Sequence, residues 1–281
     1  MTSPEILEHT KRALRDIGLR PSRRLGQNFV VDQSLIDLML EAGEVGRSDT
    51  VLEIGAGIGT LTKAIAGRAG RVVAIEKDEA AAEFLERVVP GNVEVLRRDA
   101  LESPLPEADK VVSNLPYSIS TPLTFKLLSE GRFRLAVLTY QKEVADRMVA
   151  APGGPDYSRL SVACQLRAEV EVVGTFPESS FFPAPRVKSA VVRLNPRVGA
   201  VAGSQWARLD ETLKALFSQR RRTLRKALFT YGKMLRTGSP SRPRIDEELM
   251  QMRVFELSPP DFLHIAEELG RVEVKGAGGT A

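Results

Sequence analysis

Val51-Leu52-Glu53-Ile54-Gly55-Ala56-Gly57-Ile58-Gly59-Thr60 reads as a short buried strand running into a glycine-rich turn, with a helical pattern following over Leu61 to Ala66. Glycine allows the tight backbone of such a turn and lets a nucleotide-like cofactor approach the main chain. The spacing is GxGxG, whereas the dinucleotide fingerprint carries its third glycine one place later. No Lys-Ser or Lys-Thr follows, so the phosphate-loop reading fails too.

Strand and helix alternate outward from this turn. Val72 to Ile75, Val93 to Leu96 and Lys110 to Val112 are further β-prone runs, with a helical segment over Ala80 to Val88. A helix opened by Ser120 with Pro122 in its first turn, a strand Leu135 to Thr139 and a helix Lys142 to Ala150 come next. A helical pattern through Leu160, Cys164 and Ala168 and two strands, Val170 to Val173 and Ala190 to Leu194, complete the series. Upstream, a helix over residues 4 to 17 stops at Gly18, and Asp32 caps a helix carrying Leu35, Ile36, Met39 and Leu40 on one face. Alternation of this kind predicts an α/β fold, a largely parallel sheet covered by helices on both faces.

Between Pro196 and Gln205 the composition turns to Gly, Ala and Val without periodicity, which reads as a linker. Beyond it Leu209, Leu213, Leu216, Phe217, Leu224, Leu228 and Tyr231 recur at helical spacing, and Arg221, Arg222 and Arg225 share another face. Gly238 to Pro243 reads as a turn, Pro259-Pro260-Asp261 as the start of a last helix, and the final eight or so residues as frayed. The expected organisation is therefore residues 1–195 as an α/β domain with an N-terminal helical arm, and residues 196–281 as a smaller all-helical domain.

The net charge of +4 hides an asymmetry: 25 basic against 26 acidic residues up to Asn195, and 15 against 10 after it. Arg220-Arg221-Arg222 with Arg225-Lys226 form the densest cluster, and Lys11, Arg12, Arg15, Arg20, Arg23 and Arg24 form a second. Two such clusters suit a polyanion, and Arg221, Arg222 and Arg225 are the candidate RNA contacts. The first residues carry Glu5, Glu8 and His9 where a signal peptide needs an apolar stretch, and no apolar run reaches membrane-spanning length. One cysteine, Cys164, excludes a disulfide within the chain, so the expected compartment is the cytoplasm. His9 and His264 stand apart without metal-ligand spacing, so no metal is expected.

Glu76 ends the second strand 21 positions after Gly55, where a carboxylate can accept from ribose hydroxyls, and Asp99 ends the third. One carboxylate for a ribose and another for an adenine amine describe a nucleoside cofactor without a pyrophosphate, which favours S-adenosylmethionine over NAD. Gln27-Asn28-Phe29-Val30 precedes the Asp32 helix and could fold over that cofactor. Asn114-Leu115-Pro116-Tyr117 ends the Lys110 strand. The Asn114 side-chain oxygen and the Pro116 carbonyl can both accept from an exocyclic amine, and Tyr117 offers a face for a flat base. The pair of motifs points to chemistry on a nucleobase.

Taken in order, these motifs resemble the KsgA family of small-subunit rRNA adenine dimethyltransferases. The likeness extends through Gly26-Gln27-Asn28-Phe29, Glu53 to Thr62, Glu76, Asp99-Ala100, Asn114 to Pro122, Gln141 to Val144, Tyr157 to Val162, Phe181 to Val187 and Ser189 to Val192, with Phe217 to Leu224 as the basic signature. The resemblance implies a class I methyltransferase domain, Rossmann-like, whose seven-stranded sheet has an antiparallel last strand, plus a helical C-terminal domain that helps dock on the pre-ribosomal subunit. It implies dimethylation of two adjacent adenines in the 3′-terminal hairpin of small-subunit rRNA during subunit biogenesis, by a monomer, with S-adenosylhomocysteine as co-product and no membrane partner. Carried over by position, Asn28, Val30, Gly55, Glu76, Asp99 and Asn114 contact the cofactor or close its site. Asn114 and Pro116 grip the target amine, Tyr117 stacks on the flipped base, and Phe181 is the candidate for its opposite face. Val30 stands where many members have Leu, and Ser113 replaces a smaller residue before the Asn motif, adding a hydroxyl near the pocket.

Three other readings compete. A large-subunit rRNA adenine methyltransferase usually carries Ile where Leu115 stands, and DNA adenine methylation normally uses a second Pro there. A non-catalytic assembly or transcription factor would use the basic tail alone, against which the intact Glu76, Asp99, Asn114 and Tyr117 argue.

Overall fold

The computed structural model describes residues 3–21, 26–197, 199, 201, 203–235 and 243–277. Arg23, Arg24 and most of the turn expected over Gly238 to Pro243 lie outside the described residues. The chain clusters into two compact units, one of residues up to 145 with 169–196, the other of 146–168 with the residues from 197 onward.

In the first unit, α1 (Pro4–Asp16), β1 (Phe29–Val30) and α2 (Gln33–Ala42) precede β2 (Thr50–Ile54), α3 (Thr60–Ala66), β3 (Arg71–Glu76), α4 (Glu79–Val88) and β4 (Val93–Arg97). Then come β5 (Lys110–Ser113), α5 (Ser120–Glu130), β6 (Leu135–Gln141) and α6 (Lys142–Val149), whose residues from Asp146 onward belong to the second unit. After α7 (Arg159–Arg167), which belongs to the second unit, the chain returns as β7 (Ala168–Phe176), β8 (Phe181–Phe182) and β9 (Ser189–Pro196). Seven strands form one sheet in the order β4-β3-β2-β5-β6-β9-β7. Pairings among β2 to β6 are parallel, whereas β9 runs antiparallel to β6. The central strands β2, β5 and β6 are buried almost throughout, as strands covered on both faces must be, which is why they read as predominantly apolar runs. Leu35, Ile36, Met39 and Leu40 of α2 pack with Ile65, Val51, Val72, Val112 and Val137 in one core. The Asp32 carboxylate caps α2 by accepting from the Ser34 amide at 3.0 Å and ties it to Ser180, whose hydroxyl donates at 2.7 Å.

The order of strands reverses between β2 and β5, and in open sheets a crevice forms at such a point beyond the carboxyl ends of the strands. Ser113 shapes it. Its buried hydroxyl accepts from the Ile54 amide at 2.8 Å, so it completes the ladder where β2 and β5 part instead of adding a polar group to the pocket.

A two-stranded sheet, unannounced by the sequence, joins β1 to β8 with Phe29 opposite Phe182 and Val30 opposite Phe181. Successive side chains of a strand point to opposite faces. Val30 and Phe181, each 3% exposed, therefore enter the core with Leu35 and Met39, while Phe29 and Phe182 pack with Ala13 and Leu14 of α1 and with Ile58.

The second unit contains α7, α8 (Gly203–Phe217), α9 (Leu224–Leu235), α10 (Glu247–Gln251) and α11 (Pro259–Ala277). The sequence reading put the segment of α7 with the sheet domain, on the near side of Asn195; the structure groups it with the C-terminal helices. The Tyr157 hydroxyl donates to the Leu257 carbonyl at 2.9 Å, Arg159 Nε donates to Asp210 at 3.0 Å, and Phe217 meets both the Tyr157 ring and, stacked at 5.1 Å, the Phe262 ring. The helix expected to run from Leu209 to Tyr231 is interrupted between Phe217 and Leu224. No Gly or Pro breaks it. Residues 220–224 instead pair their backbone with 252–255: Leu224 N–H to Met252, Val254 N–H to Arg222 and Phe255 N–H to Arg220. Arg221 and Arg222 consequently lie on a turn, exposed, and only Arg225 lies on the helix.

Candidate active site

A cavity of about 410 Å³ opens at the crevice between β2 and β5. This volume falls in the range of small-molecule sites, roughly 300 to 1,000 Å³. The turn after β2 contributes Gly55 and Gly57, β3 ends in it at Glu76, the segment after β4 adds Asp99 and Ala100, and the segment after β5 adds Asn114 and Pro116. Gln27, Asn28 and Phe29 form a further wall.

The glycines are dictated by close approach. Gly55, Gly57 and Gly59 all have positive φ, and a Cβ at Gly57 would come within 2.8 Å of the Phe29 ring. A Cβ on Gly26 would come within 2.8 Å of the Tyr117 and Ser118 amides, so the strip before β1 lies directly over the Asn motif.

Glu76 is nearly buried. One of its oxygens accepts from the Gly57 amide at 2.7 Å and the other from the Asp78 amide at 2.8 Å, so the carboxylate is fixed with lone pairs to spare. Burial pushes its carboxyl up, and the backbone donors partly offset this. Glu53, fully buried on β2, is pushed up to about 8 by burial, with the nearby Glu76 charge adding to the effect, and its Oε2 has no hydrogen-bond partner. Asp99 is held below the usual carboxylate range by the Lys77 ammonium and the Leu101 amide.

Asn114 is specified at both ends of its amide. Its Nδ2 donates to the Asn28 carbonyl at 2.7 Å, and its Oδ1 accepts from the Thr139 hydroxyl at 2.6 Å. The Pro116 carbonyl accepts from the Ile119 amide at 3.1 Å. Tyr117 is half-buried, with its hydroxyl hydrogen-bonded to Ser189 Oγ and pushed up to about 12 by burial. It is a neutral, tethered ring.

The structure thus brings Asn28, Gly55, Glu76, Asp99, Asn114 and Pro116 around one cavity. Val30, Phe181 and Tyr117 are not among its lining residues: the β1–β8 register turns the first two into the core, and the Tyr117 hydroxyl is tied to Ser189. Phe29, named from the sequence only as part of the strip over the cofactor, and Leu19, not named at all, also line the cavity. Phe29 was within reach of the sequence, as the neighbour of Asn28. Thr139 was not, since only the pairing of β5 with β6 brings it beside Asn114. Among the described residues no group of three or more His, Cys, Asp or Glu side chains could hold a metal, and no helix is long and apolar enough to cross a membrane.

A sheet of this order, with its antiparallel β9 and a glycine turn facing two acidic strand ends across a crevice, defines a class I methyltransferase. The ribosomal RNA adenine dimethylase family model matches residues 19–270, and the chain belongs to that family. Over 268 residues it is 46% identical to a probable ribosomal RNA small subunit methyltransferase A of Methanothermobacter thermautotrophicus, covering 94% of this chain and 96% of the relative. A protein of the same description from Thermococcus kodakarensis is 45% identical over 258 residues, covering 89% of this chain and 91% of the relative. Among solved structures, a dimethyladenosine transferase from Plasmodium falciparum superposes with a TM-score of 0.74 at 28% identity, covering 87% of this chain and 98% of that one. The 23S rRNA methyltransferase ErmE gives 0.62 at 27% identity, covering 86% and 100%. The family's members are S-adenosylmethionine-dependent enzymes, and this chain is an rRNA adenine methyltransferase.

Proposed function

We propose that this enzyme binds S-adenosylmethionine in the cavity beside Gly55 and dimethylates two adjacent adenines in the 3′-terminal hairpin of small-subunit rRNA, acting as a cytoplasmic monomer on a pre-ribosomal subunit. The observation that carries the reading is the Asn114 amide, fixed by two hydrogen bonds at the edge of a cavity that also holds Glu76 and Asp99. The residues present fit the cofactor: two carboxylates for ribose and adenine, and glycines that keep the wall open.

When bound, S-adenosylmethionine supplies a sulfonium methyl whose C–S electron pair stays on sulfur as the new N–C bond forms, leaving S-adenosylhomocysteine. Glu76 accepts from the ribose hydroxyls and Asp99 from the cofactor's adenine amine. An adenine amine is a poor nucleophile because its lone pair is delocalised into the ring. By accepting its two N–H bonds, Asn114 Oδ1 and the Pro116 carbonyl turn that lone pair toward the methyl carbon, a positioning effect worth several kcal/mol. Tyr117 stacks on the everted base, which contributes roughly 1 to 3 kcal/mol. The alkylated amine is acidic enough to release its proton to water, so no side chain serves as base. The exposed Arg221, Arg222 and Arg225 of the helical unit contact rRNA phosphates.

Incubation with labelled cofactor and immature small subunits, large subunits or DNA, followed by mapping of the modified base, tests this. Label confined to adjacent adenines of the small subunit is expected. Label in large-subunit rRNA or in DNA would reject the substrate assignment.

A further inference from the structure

Thr139 carries a fully buried hydroxyl in contact with the pocket residue Asn114. It lies on β6 with no exposed surface, one residue beyond the pairing of Leu138 with Ser113, so the sheet register sets it beside Asn114. Its Oγ1 donates to Asn114 Oδ1 at 2.6 Å, while Asn114 Nδ2 donates to the Asn28 carbonyl at 2.7 Å. A backbone carbonyl only accepts, so the NH2 end of the amide must face Asn28 and the oxygen must face Thr139. The hydroxyl therefore acts as donor.

An amide oxygen offers two lone pairs. Thr139 occupies one of them, and a single direction remains for an incoming amine. The second acceptor is built alike, for the Pro116 carbonyl takes the Ile119 amide at 3.1 Å and keeps one lone pair for a ligand. Two oxygens, each pinned by an internal donor, give an amine two fixed directions in which to place its hydrogens. Held at its Nδ2 end alone by Asn28, the carboxamide could still swing its oxygen about a terminal torsion that is broad for Asn.

We infer that Thr139 is a positioning residue for methyl transfer, which acts by fixing the acceptor direction of Asn114 Oδ1. The inference rests on the reading that Asn114 holds the target amine. It carries a consequence for the two transfers. An unmodified amine has two N–H bonds and can be registered by either acceptor. After one methylation a single N–H remains, so the second transfer depends more heavily on an acceptor that does not move.

The test uses the full-length enzyme on undermethylated small subunits. Thr139→Val keeps the β-branched shape and removes the donor. We expect kcat to fall about ten- to a hundredfold, the scale of a misplaced reacting group. KM for subunits and the Kd for S-adenosylmethionine stay within about twofold, since ground-state binding is untouched. N6-monomethyladenine should accumulate relative to dimethyladenine, and Thr139→Ser should restore kcat to within about threefold because it keeps the donor. Thr139→Val with unchanged kcat and unchanged mono-to-dimethyl ratio, beside an inactive Asn114→Ala, would overturn the inference and leave the pocket reading standing. Full turnover by Asn114→Ala would sink the pocket reading itself. If Thr139→Val does not fold, Thr139→Ala and Thr139→Ser decide, and equal kcat and equal product ratios in those two overturn the role of the hydroxyl.

Discussion

The Lys77 ammonium lies 2.6 Å from the Asp99 carboxylate, and both residues line the cavity. Lys77 is mostly solvent-exposed, so this pair contributes little to folding, but it favours the ionised form of Asp99, which the proposed function assigns to the cofactor's adenine amine. Asp99 Oδ1 is already occupied by the Leu101 amide at 2.8 Å, which fixes the carboxylate's orientation. Asp99→Ala should therefore raise the Kd for S-adenosylmethionine about tenfold, the loss of one charge-assisted hydrogen bond. Calorimetry on the purified variant measures it, and a Kd equal to that of the wild type would remove Asp99 from the site.

Arg221 and Arg222 are exposed, whereas Arg220 lies over the Phe255 ring at 5.6 Å and donates to the Pro155 carbonyl at 3.0 Å. Replacing Arg221 and Arg222 together by Ala should leave the melting temperature unchanged, weaken rRNA binding and reduce the slope of log K against log salt by up to about 2. Arg220→Ala should lower the melting temperature instead. An unchanged salt slope in the double variant would assign those two arginines to ordinary surface.

Glu53 gives a pH signature. Burial raises its carboxyl to about 8, against an ordinary value of 4.5, so the folded protein binds this proton more tightly than the unfolded chain does. Its contribution is fully present below the ordinary value and is lost as pH rises toward about 8. Glu53→Gln removes the titration, with Thr62 and Glu76 as the polar groups facing the new amide. The variant should match the wild type near pH 4 and melt higher near pH 8, at about 2 to 4 °C per kcal/mol for a chain of this size. Parallel melting curves across that range would show that Glu53 does not titrate there.

Phe181 offers a clean choice between packing and stacking. As a core residue 3% exposed, it should lose about 3 to 5 kcal/mol of stability on Phe181→Ala, while Phe181→Leu should retain near-normal kcat because it refills most of the volume. A large loss of kcat in a stable Phe181→Leu would return the ring to the base-stacking role.

The parts of the fold that depend on local pattern are legible in the chain itself. Short, mostly apolar runs from Val51, Val72 and Lys110 mark strands buried on both faces, glycines at 55, 57 and 59 mark a turn that no side chain fits, and Asp32 marks a helix start. The two carboxylates that line the cavity follow from these, because Glu76 ends β3 and Asp99 lies two residues beyond the end of β4.

What the tertiary structure alone decides is everything set by pairing across long separations. Val30 and Phe181 become core, and Phe29 becomes a pocket wall, because a two-residue strand pairs with another about 150 residues away in one register and not its neighbour. The helix from Leu209 breaks before Leu224 because residues 252–255 supply backbone partners that compete with helical ones. Thr139 meets Asn114 for the same reason. Side-chain periodicity and glycine are written into neighbouring residues, whereas hydrogen-bond partners from distant segments exist only once the chain has folded.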